Sequence, residues 1–373
     1  DEYLPTNHGF DEFFGNLYHL NAEEEPEDVD YPQDPTFRKM FGPRGVIRSF
    51  ADGRIEDTGA LTRKRMETAD EEFVAAAKKF VEKSVKANKP FFAWVNTTGM
   101  HFRTHPAKKH LGKSGQDFYN DVMVAHDELV GEMLDQLDEL KIADNTIVFY
   151  STDNGVHYNT WPDAGITPFR SEKNSNWEGA YRVPAVARWP GKIKPGQVSN
   201  EVMSHLDWMP TLVAAAGDAK LKENLLKGVR VGNKNANLHL DGYNFLPYLT
   251  GQAEKGPRRE FIYHNDAGMP VCVRVGDWKV VYAENRAQTM ALWAEPFVTL
   301  RVPKIFNLRR DPFERADHNS NTYWDWMIDK AGQMYLGGAV TSMYLQTFAK
   351  FPPSQRPDSW SIDKLTDRYL NPQ

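Results

Sequence analysis

Cysteine is nearly absent from this chain: Cys272 is the only one. A single thiol closes no intrachain disulfide and excludes a Cys-based zinc site, while the redox compartment stays open. No Lys/Arg-rich run stands out either. Lys+Arg total 45 against Asp+Glu 51, a formal charge of -6, which speaks against a dedicated nucleic-acid binder. Apolar runs never reach the roughly 18 to 20 residues that a membrane-spanning helix needs, in line with a mean hydropathy of -0.61. There is no internal repeat. The chain opens on Asp1-Glu2-Tyr3-Leu4-Pro5 with neither an initiator Met nor a charged-then-apolar leader. The expectation is that a front segment has been removed, or that this is a piece of something longer.

What is present suits a globular protein with a large core. Of 373 residues, 40% are hydrophobic and 12% aromatic, and at about 150 residues per domain this length suggests two domains. Tyr3 to Glu27 reads as aromatic, turn-rich loops ending in the acidic run Glu23-Glu24-Glu25-Pro26-Glu27. Thr68 to Lys86 has helical spacing, with Phe73, Ala76, Ala77, Phe80 and Val81 on one face, and Lys89-Pro90 stops it. Phe91 to Asn96 is a continuous apolar run, read as a strand buried on both faces. Tyr119 to Leu140 is a strongly amphipathic helix, and Thr146 to Ser151 a second buried strand.

Strand, helix and strand of this kind indicate a right-handed crossover in a parallel sheet, hence an α/β fold. Ligands on such sheets bind beyond the carboxyl ends of the strands, here Asn96 to His105 and Thr152 to Gly155. A further strand is expected at Val183 to Trp189. A helix opens at Ser204-His205-Leu206-Asp207, with Asp207 as its cap and Gly217 as its stop. Asp218 to Leu238 reads as a polar surface excursion. After Gly256, runs at Glu260 to Tyr263, Val271 to Val275 and Trp278 to Tyr282 suggest an antiparallel meander, followed by a helix near Trp324 to Tyr335 and a Pro-containing tail. The expected domains are 1–255 and 256–373.

Four residues carry the candidate chemistry. Asp153 and Asn154, at a strand end, form an oxygen-only pair suited to Ca²⁺ or Mg²⁺, although Asp-Asn-Gly is also an ordinary turn. Lys173 follows a loop with Gly and Pro and precedes a strand, where an ammonium can meet an anion; a lone Lys is more often simply solvated. His101, on a strand-end loop, can protonate a departing oxygen at neutral pH, against the blander reading of a hydrogen-bonded loop histidine. His101, His105 and His110 as zinc ligands are discounted, because Gly99, Pro106 and Gly112 break the helix their spacing would need. His157, Trp161 and Arg103 line either a pocket mouth or a surface loop. Glu178 and Arg182 are read as braces of the Lys173 loop, His205 as locally bonded, and Cys272 as a small buried hydrophobe.

In order and spacing, these segments resemble the sulfatase family of the alkaline-phosphatase-like superfamily, bacterial arylsulfatases in particular. The motifs are Asn7 to Gly15, the His101 loop, Thr152-Asp153-Asn154-Gly155, Lys173 ahead of Glu178-Gly179, and Arg182-Val183-Pro184. Ser204 to Asp207 with Pro210-Thr211, Gly276-Asp277-Trp278-Lys279, Phe306-Asn307-Leu308 and Asp311-Pro312-Phe313-Glu314 complete the set.

The resemblance implies a mixed, mostly parallel sheet sandwiched by helices, with a smaller C-terminal antiparallel subdomain. It implies Ca²⁺ at Asp153 and Asn154, His101 on the ester and its leaving oxygen, and Lys173 on the sulfate. The substrate would be a small-molecule or saccharide sulfate ester, and relatives are commonly periplasmic or secreted. The family attacks with a formylglycine made from Cys or Ser in a Cys/Ser-x-Pro-Ser/Ala-Arg motif, which is absent here. Also absent are its early Asp-Asp metal pair and a Gly-Lys-x-His-type segment. These are expected on a leading segment, lost or carried on a separate chain, without which this chain is expected to be inactive. The alternatives are a non-catalytic scaffold of the same fold and a phosphomonoester or phosphonate hydrolase.

Overall fold

The structure is a computed structural model that describes residues 1–163, 166–232 and 234–353. The Pro-containing tail from 354 onward lies outside the described residues. Among the described residues two compact units are found: residues 1–146 with 158–163, and residues 147–157 with 166–232 and 234–353.

In the first unit, β1 (Glu12–Asn16), β2 (Val46–Phe50) and β3 (Ile55–Asp57) form an antiparallel sheet. Two long helices follow, α2 (Ala69–Lys86) and α3 (Phe118–Glu139), within two residues of the expected limits. Their apolar stripes explain why they form: Phe73, Val74 and Val81 of α2 are buried, with Val122, Leu129 and Leu137 of α3.

The acidic run, expected as loop, is partly helical. Leu20–Glu24 folds as a short helix, α1, capped by His19, whose Nδ1 accepts the amide N–H of Ala22 at 3.3 Å. It buries Glu23 to 3% exposure. Burial pushes the Glu23 carboxyl up to about 7, and the neighbouring amides of Gly45 and Tyr18 offset only part of that. Between the ordinary 4.5 and about 7, the unfolded chain releases a proton that the folded chain keeps. Stability therefore falls as pH rises through this window. Glu23→Gln is expected to be neutral below pH 4.5 and stabilising above pH 7, checked by thermal melting at both ends; equal melting shifts at pH 4 and 8 would contradict it.

Phe91–Asn96 does not form the expected buried strand. It pairs with no strand among the described residues, and Phe92 and Trp94 are 56% and 67% exposed. An apolar run becomes a ladder only where a partner meets its backbone groups, and composition says nothing of the partner.

In the second unit, β4 (Val148–Ser151) pairs antiparallel with β5 (Ala185–Arg188). No parallel pair occurs among the described residues. The expected helix is α5 (Trp208–Ala215), stopped at Gly217 with φ +113°. Asp207 is not its side-chain cap: Ser204 caps the preceding turn, and the buried Asp207 carboxylate takes the amides of Ser204 and Tyr243 and the Arg258 guanidinium. The polar stretch after Asp218 is not merely loop, since Leu221–Lys227 is helical.

The meander is present as a four-stranded antiparallel sheet: β6 (Glu260–His264), β7 (Pro270–Val275), β8 (Trp278–Glu284) and β9 (Val298–Asn307), in sequential order. Its central strands are buried on both faces: Val271, Cys272 and Val273 follow one another in β7, and Lys279, Val280 and Val281 in β8. Helix α7 (Gly332–Lys350) lies so close that a Cβ on Gly337 would stand 2.7 Å from Val280 Cγ2. Cys272 is buried in β7 as expected, its thiol pushed up to about 12 by burial. No described helix is long and apolar enough to cross a membrane.

Candidate active site

His101 belongs to the first unit, on a loop held from several sides. The Asp70 carboxylate of α2 accepts the amides of Thr98 at 2.7 Å and Gly99 at 2.9 Å. Tyr119 of α3 donates its hydroxyl to the Met100 carbonyl at 3.0 Å. The Arg103 amide donates to His101 Nδ1 at 3.2 Å. A nitrogen that accepts carries no proton, so the neutral imidazole keeps its hydrogen on Nε2, the form that can donate to an oxygen. His19 stacks against this ring at 6.2 Å and 15°, and Phe102 lies 4.8 Å away on a tilt.

The other two loop histidines are engaged elsewhere. His105 Nε2 meets Glu24 at 3.0 Å and His110 Nε2 meets Glu128 at 2.9 Å. Glu24 also pairs with Arg63 and Arg103, which fastens α1 to the His101 loop. His126 behind the loop faces Thr97 Oγ1, and burial, partly opposed by Asp70 and Asp127, lowers its pKa.

Asp153, Asn154 and Lys173 lie in the second unit, on two loops whose backbones meet. Asp153 is exposed and Asn154 half-buried, just past the end of β4. The loop after them is stitched to its neighbours by backbone: Gly155 N–H to Ala180 O at 2.7 Å, Lys173 N–H to Val156 O at 2.8 Å, and Gly179 N–H to Arg170 O at 2.8 Å. The approach excludes side chains. A Cβ on Gly155 would stand 1.8 Å from Gly179 O, and one on Gly179 would stand 2.0 Å from Ser171 O. Ser171 and Asn174, on either side of Lys173, take φ of +61° and +73°, a region few non-glycine residues visit.

Among the described residues no carboxylate pairs with the half-buried Lys173 ammonium. Burial, and then the Lys173 charge, lower the pKa of His157. Asp153 and Asn154 offer hard oxygen donors, which fits a cation such as Ca²⁺ in kind but supplies only two of the six to eight oxygens it takes. No group of three or more His, Cys, Asp or Glu able to hold a metal occurs among the described residues.

Beneath the Lys173 loop lies a network of buried charge. Lys279 Nζ, on β8, is fully buried, 3.1 Å from Glu178 Oε1, 2.7 Å from Glu314 Oε1 and 2.9 Å from Asn176 O. Tyr263 donates to Glu178 at 2.7 Å, and the Glu178 amide to Glu314 Oε2 at 2.7 Å. Burial alone would raise Glu178, but Lys279, the Tyr263 hydroxyl and the more distant arginines hold it below the usual carboxylate range. Glu314 goes the other way: burial and the Glu178 charge raise it, and Lys279 compensates only in part. Arg170 ties the same loop to Asp317 at 2.9 Å and lies 3.5 Å over the Trp177 ring.

Glu178 and Arg182 therefore brace this loop, at 3.6 Å from each other. Lys279 and Glu314 are the braces that residue-by-residue reasoning missed, although both stood in motifs marked by the resemblance. His205 is not locally bonded: its Nε2 reaches Ser151 Oγ, at the end of β4, at 3.1 Å.

Solved structures place this architecture among alkaline-phosphatase-like α/β folds. A sulfatase of Pseudoalteromonas sp., PsFucS1, superposes with a TM-score of 0.79 at 24% identity, over 95% of this chain and 69% of its own. Ps i-CgsB in complex with k-i-k-neocarrahexaose superposes at 0.66 and 21% identity, over 98% and 72%.

The family follows from sequence: the sulfatase family model matches residues 2–218, more than half of the chain, and the chain belongs to that family. N-acetylgalactosamine-6-sulfatase of Canis lupus familiaris is 28% identical over 84% of this chain and 58% of its own length. Arylsulfatase A of Bos taurus is 26% identical over 84% and 60%. The chain thus spans about three-fifths of the length of these curated relatives.

Proposed function

We propose that this chain forms the larger part of a sulfuric ester hydrolase that cleaves a sulfate monoester, with His101, Lys173, Asp153 and Asn154 as its contribution to the site. The observation that carries the reading is the backbone stitching of the Asp153-Asn154 loop to the Lys173 loop within a chain of this family. That stitching fixes the loop that carries a carboxylate and an amide oxygen against the loop that carries an ammonium, which supports their use in one site.

Each residue has a distinct part. Lys173 offers a positive charge to the sulfate oxygens, which offsets the repulsion that a monoanion presents to any nucleophile. His101, with its proton on Nε2, donates to the bridging oxygen as negative charge collects there. Asp153 and Asn154 would hold a Ca²⁺ ion, with Mg²⁺ as the alternative, and the bound cation supplies Lewis-acid polarisation of the sulfate. The buried Lys279 network keeps the Lys173 loop from relaxing when an anion arrives. The nucleophile, a formylglycine by family resemblance, is expected on residues outside this sequence, and a periplasmic or secreted location goes with it.

Purified alone with calcium and p-nitrophenyl sulfate, the chain is expected to show no turnover; a rate like that of a full-length family member would refute this. In a protein that contains this chain together with the nucleophile-bearing segment, p-nitrophenyl sulfate is expected to be cleaved in preference to p-nitrophenyl phosphate. The opposite preference would overturn the sulfate assignment.

A further inference from the structure

The residues on either side of Lys173 grip one and the same distant segment. Glu172, buried, accepts the Thr289 amide at 3.0 Å, and Asn174 donates its side-chain amide to the Leu292 carbonyl at 3.0 Å. That segment carries a single-turn helix, α6 (Ala291–Ala294), with Leu292 buried. Asn285 fastens it again, donating to the carbonyls of Leu292 at 3.0 Å and Glu295 at 3.2 Å. The consequence is that Trp293 is delivered beside Lys173. Its indole centroid lies 5.9 Å from Nζ, and the residue remains 51% exposed.

A large aromatic left half in water on a segment this firmly tied has a physical cost and offers a rigid flat surface. Nothing in the packing accounts for its place: Leu292 anchors the turn, and the Trp293 ring faces outward next to a cation. An ammonium holds a sulfate oxygen at about 2.8 Å. The S–O–C linkage then puts the first carbon of the ester's alcohol at a reach similar to that of the indole, so a ring joined there lies alongside Trp293. Because the loop is already fixed, stacking would cost little ordering entropy.

We propose that Trp293 is a stacking platform for the sugar ring that bears the sulfate, which makes it a specificity-determining residue and the substrate a sulfated saccharide. This rests on the assignment of Lys173 as the sulfate-holding group. A sugar presents one face of C–H groups and a rim of hydroxyls. Trp293 matches the face, and the exposed Glu295 carboxylate, two residues on, is a polar neighbour for the rim.

The test is binding, so it does not depend on turnover. The full chain is titrated calorimetrically with inorganic sulfate, N-acetylgalactosamine 6-sulfate and p-nitrophenyl sulfate. The sugar ester is expected to bind about tenfold tighter than inorganic sulfate, the gain from covering one ring face. Trp293→Ala should erase that gain and leave inorganic sulfate unchanged, while Trp293→Phe should keep most of it. Lys173→Ala should weaken all three.

Unchanged sugar-ester binding in Trp293→Ala, or an equal loss in Trp293→Phe, overturns the platform and leaves the sulfate site standing. Dependence on Trp293 for p-nitrophenyl sulfate but not for the sugar ester overturns the saccharide assignment. Sulfate binding that ignores Lys173→Ala, or no binding of any probe, removes the underlying reading together with the platform.

Discussion

Replacing Lys279 by Met is expected to lower the unfolding free energy by about 3 to 5 kcal/mol, the usual result of removing one partner from a buried ion pair. Lys279 is fully buried between Glu178 and Glu314. Its two carboxylates raise its own pKa well above the ordinary lysine value despite burial. Without the ammonium, two carboxylates with almost no exposure face one another, and at neutral pH at least one must take a proton.

The sign is then definite. Glu178 and Glu314 in the variant would both titrate above the ordinary carboxylate range, so stability is largest at acidic pH and is lost as pH rises through their new pKa values. Urea unfolding at pH 5 and pH 8 measures it. A loss under 1 kcal/mol at pH 8 would mean that the buried charges are not coupled as the distances suggest.

The second large effect is expected from a single methyl group. Gly179→Ala puts a Cβ 2.0 Å from the Ser171 carbonyl oxygen and 2.5 Å from that of Arg170. Both are backbone atoms, so no side chain can swing aside. Ser171 already holds φ +61°, and Gly155 closes the other side, where its own Cβ would meet Gly179 O.

Overpacking of this kind costs about 3 kcal/mol or more, and relief moves the Lys173 backbone. Inorganic sulfate binding should weaken together with stability in this variant. Gly131→Ala is the control: a Cβ there meets nothing within 4 Å, and the site is in the interior of α3. It should stabilise by about 0.5 to 1 kcal/mol. Equal melting temperatures for the two variants would defeat the steric argument.

The elements legible in the sequence share one property: their signal is local. The stripe of Phe73 and Val81 is enough for α2, and the short apolar runs at Val271 to Val275 and Trp278 to Tyr282, joined by the Gly276-Asp277 turn, are enough for the antiparallel sheet. The turn at the end of β4 was legible because Asp153-Asn154-Gly155 carries its own local signal. Phe91–Asn96 failed because a strand is a relation between two segments. The acidic run was expected as loop, and its short helix went unread because the burial of Glu23 and Glu24, the second paired with Arg63 and His105, depends on partners far along the chain.

By itself, then, the sequence determined the sulfatase family, the α/β class and the long helices, and it nominated four candidate site residues. Each of these is written in spacing along the chain. Tertiary structure alone decided that Lys279 neutralises Glu178 from about a hundred residues away, that Glu172 and Asn174 draw Trp293 up beside Lys173, and that Gly179 tolerates no side chain. The reason is physical: the energy of a buried charge or a steric contact depends on the atoms that surround it in space, and the one-dimensional order of residues does not specify which those are.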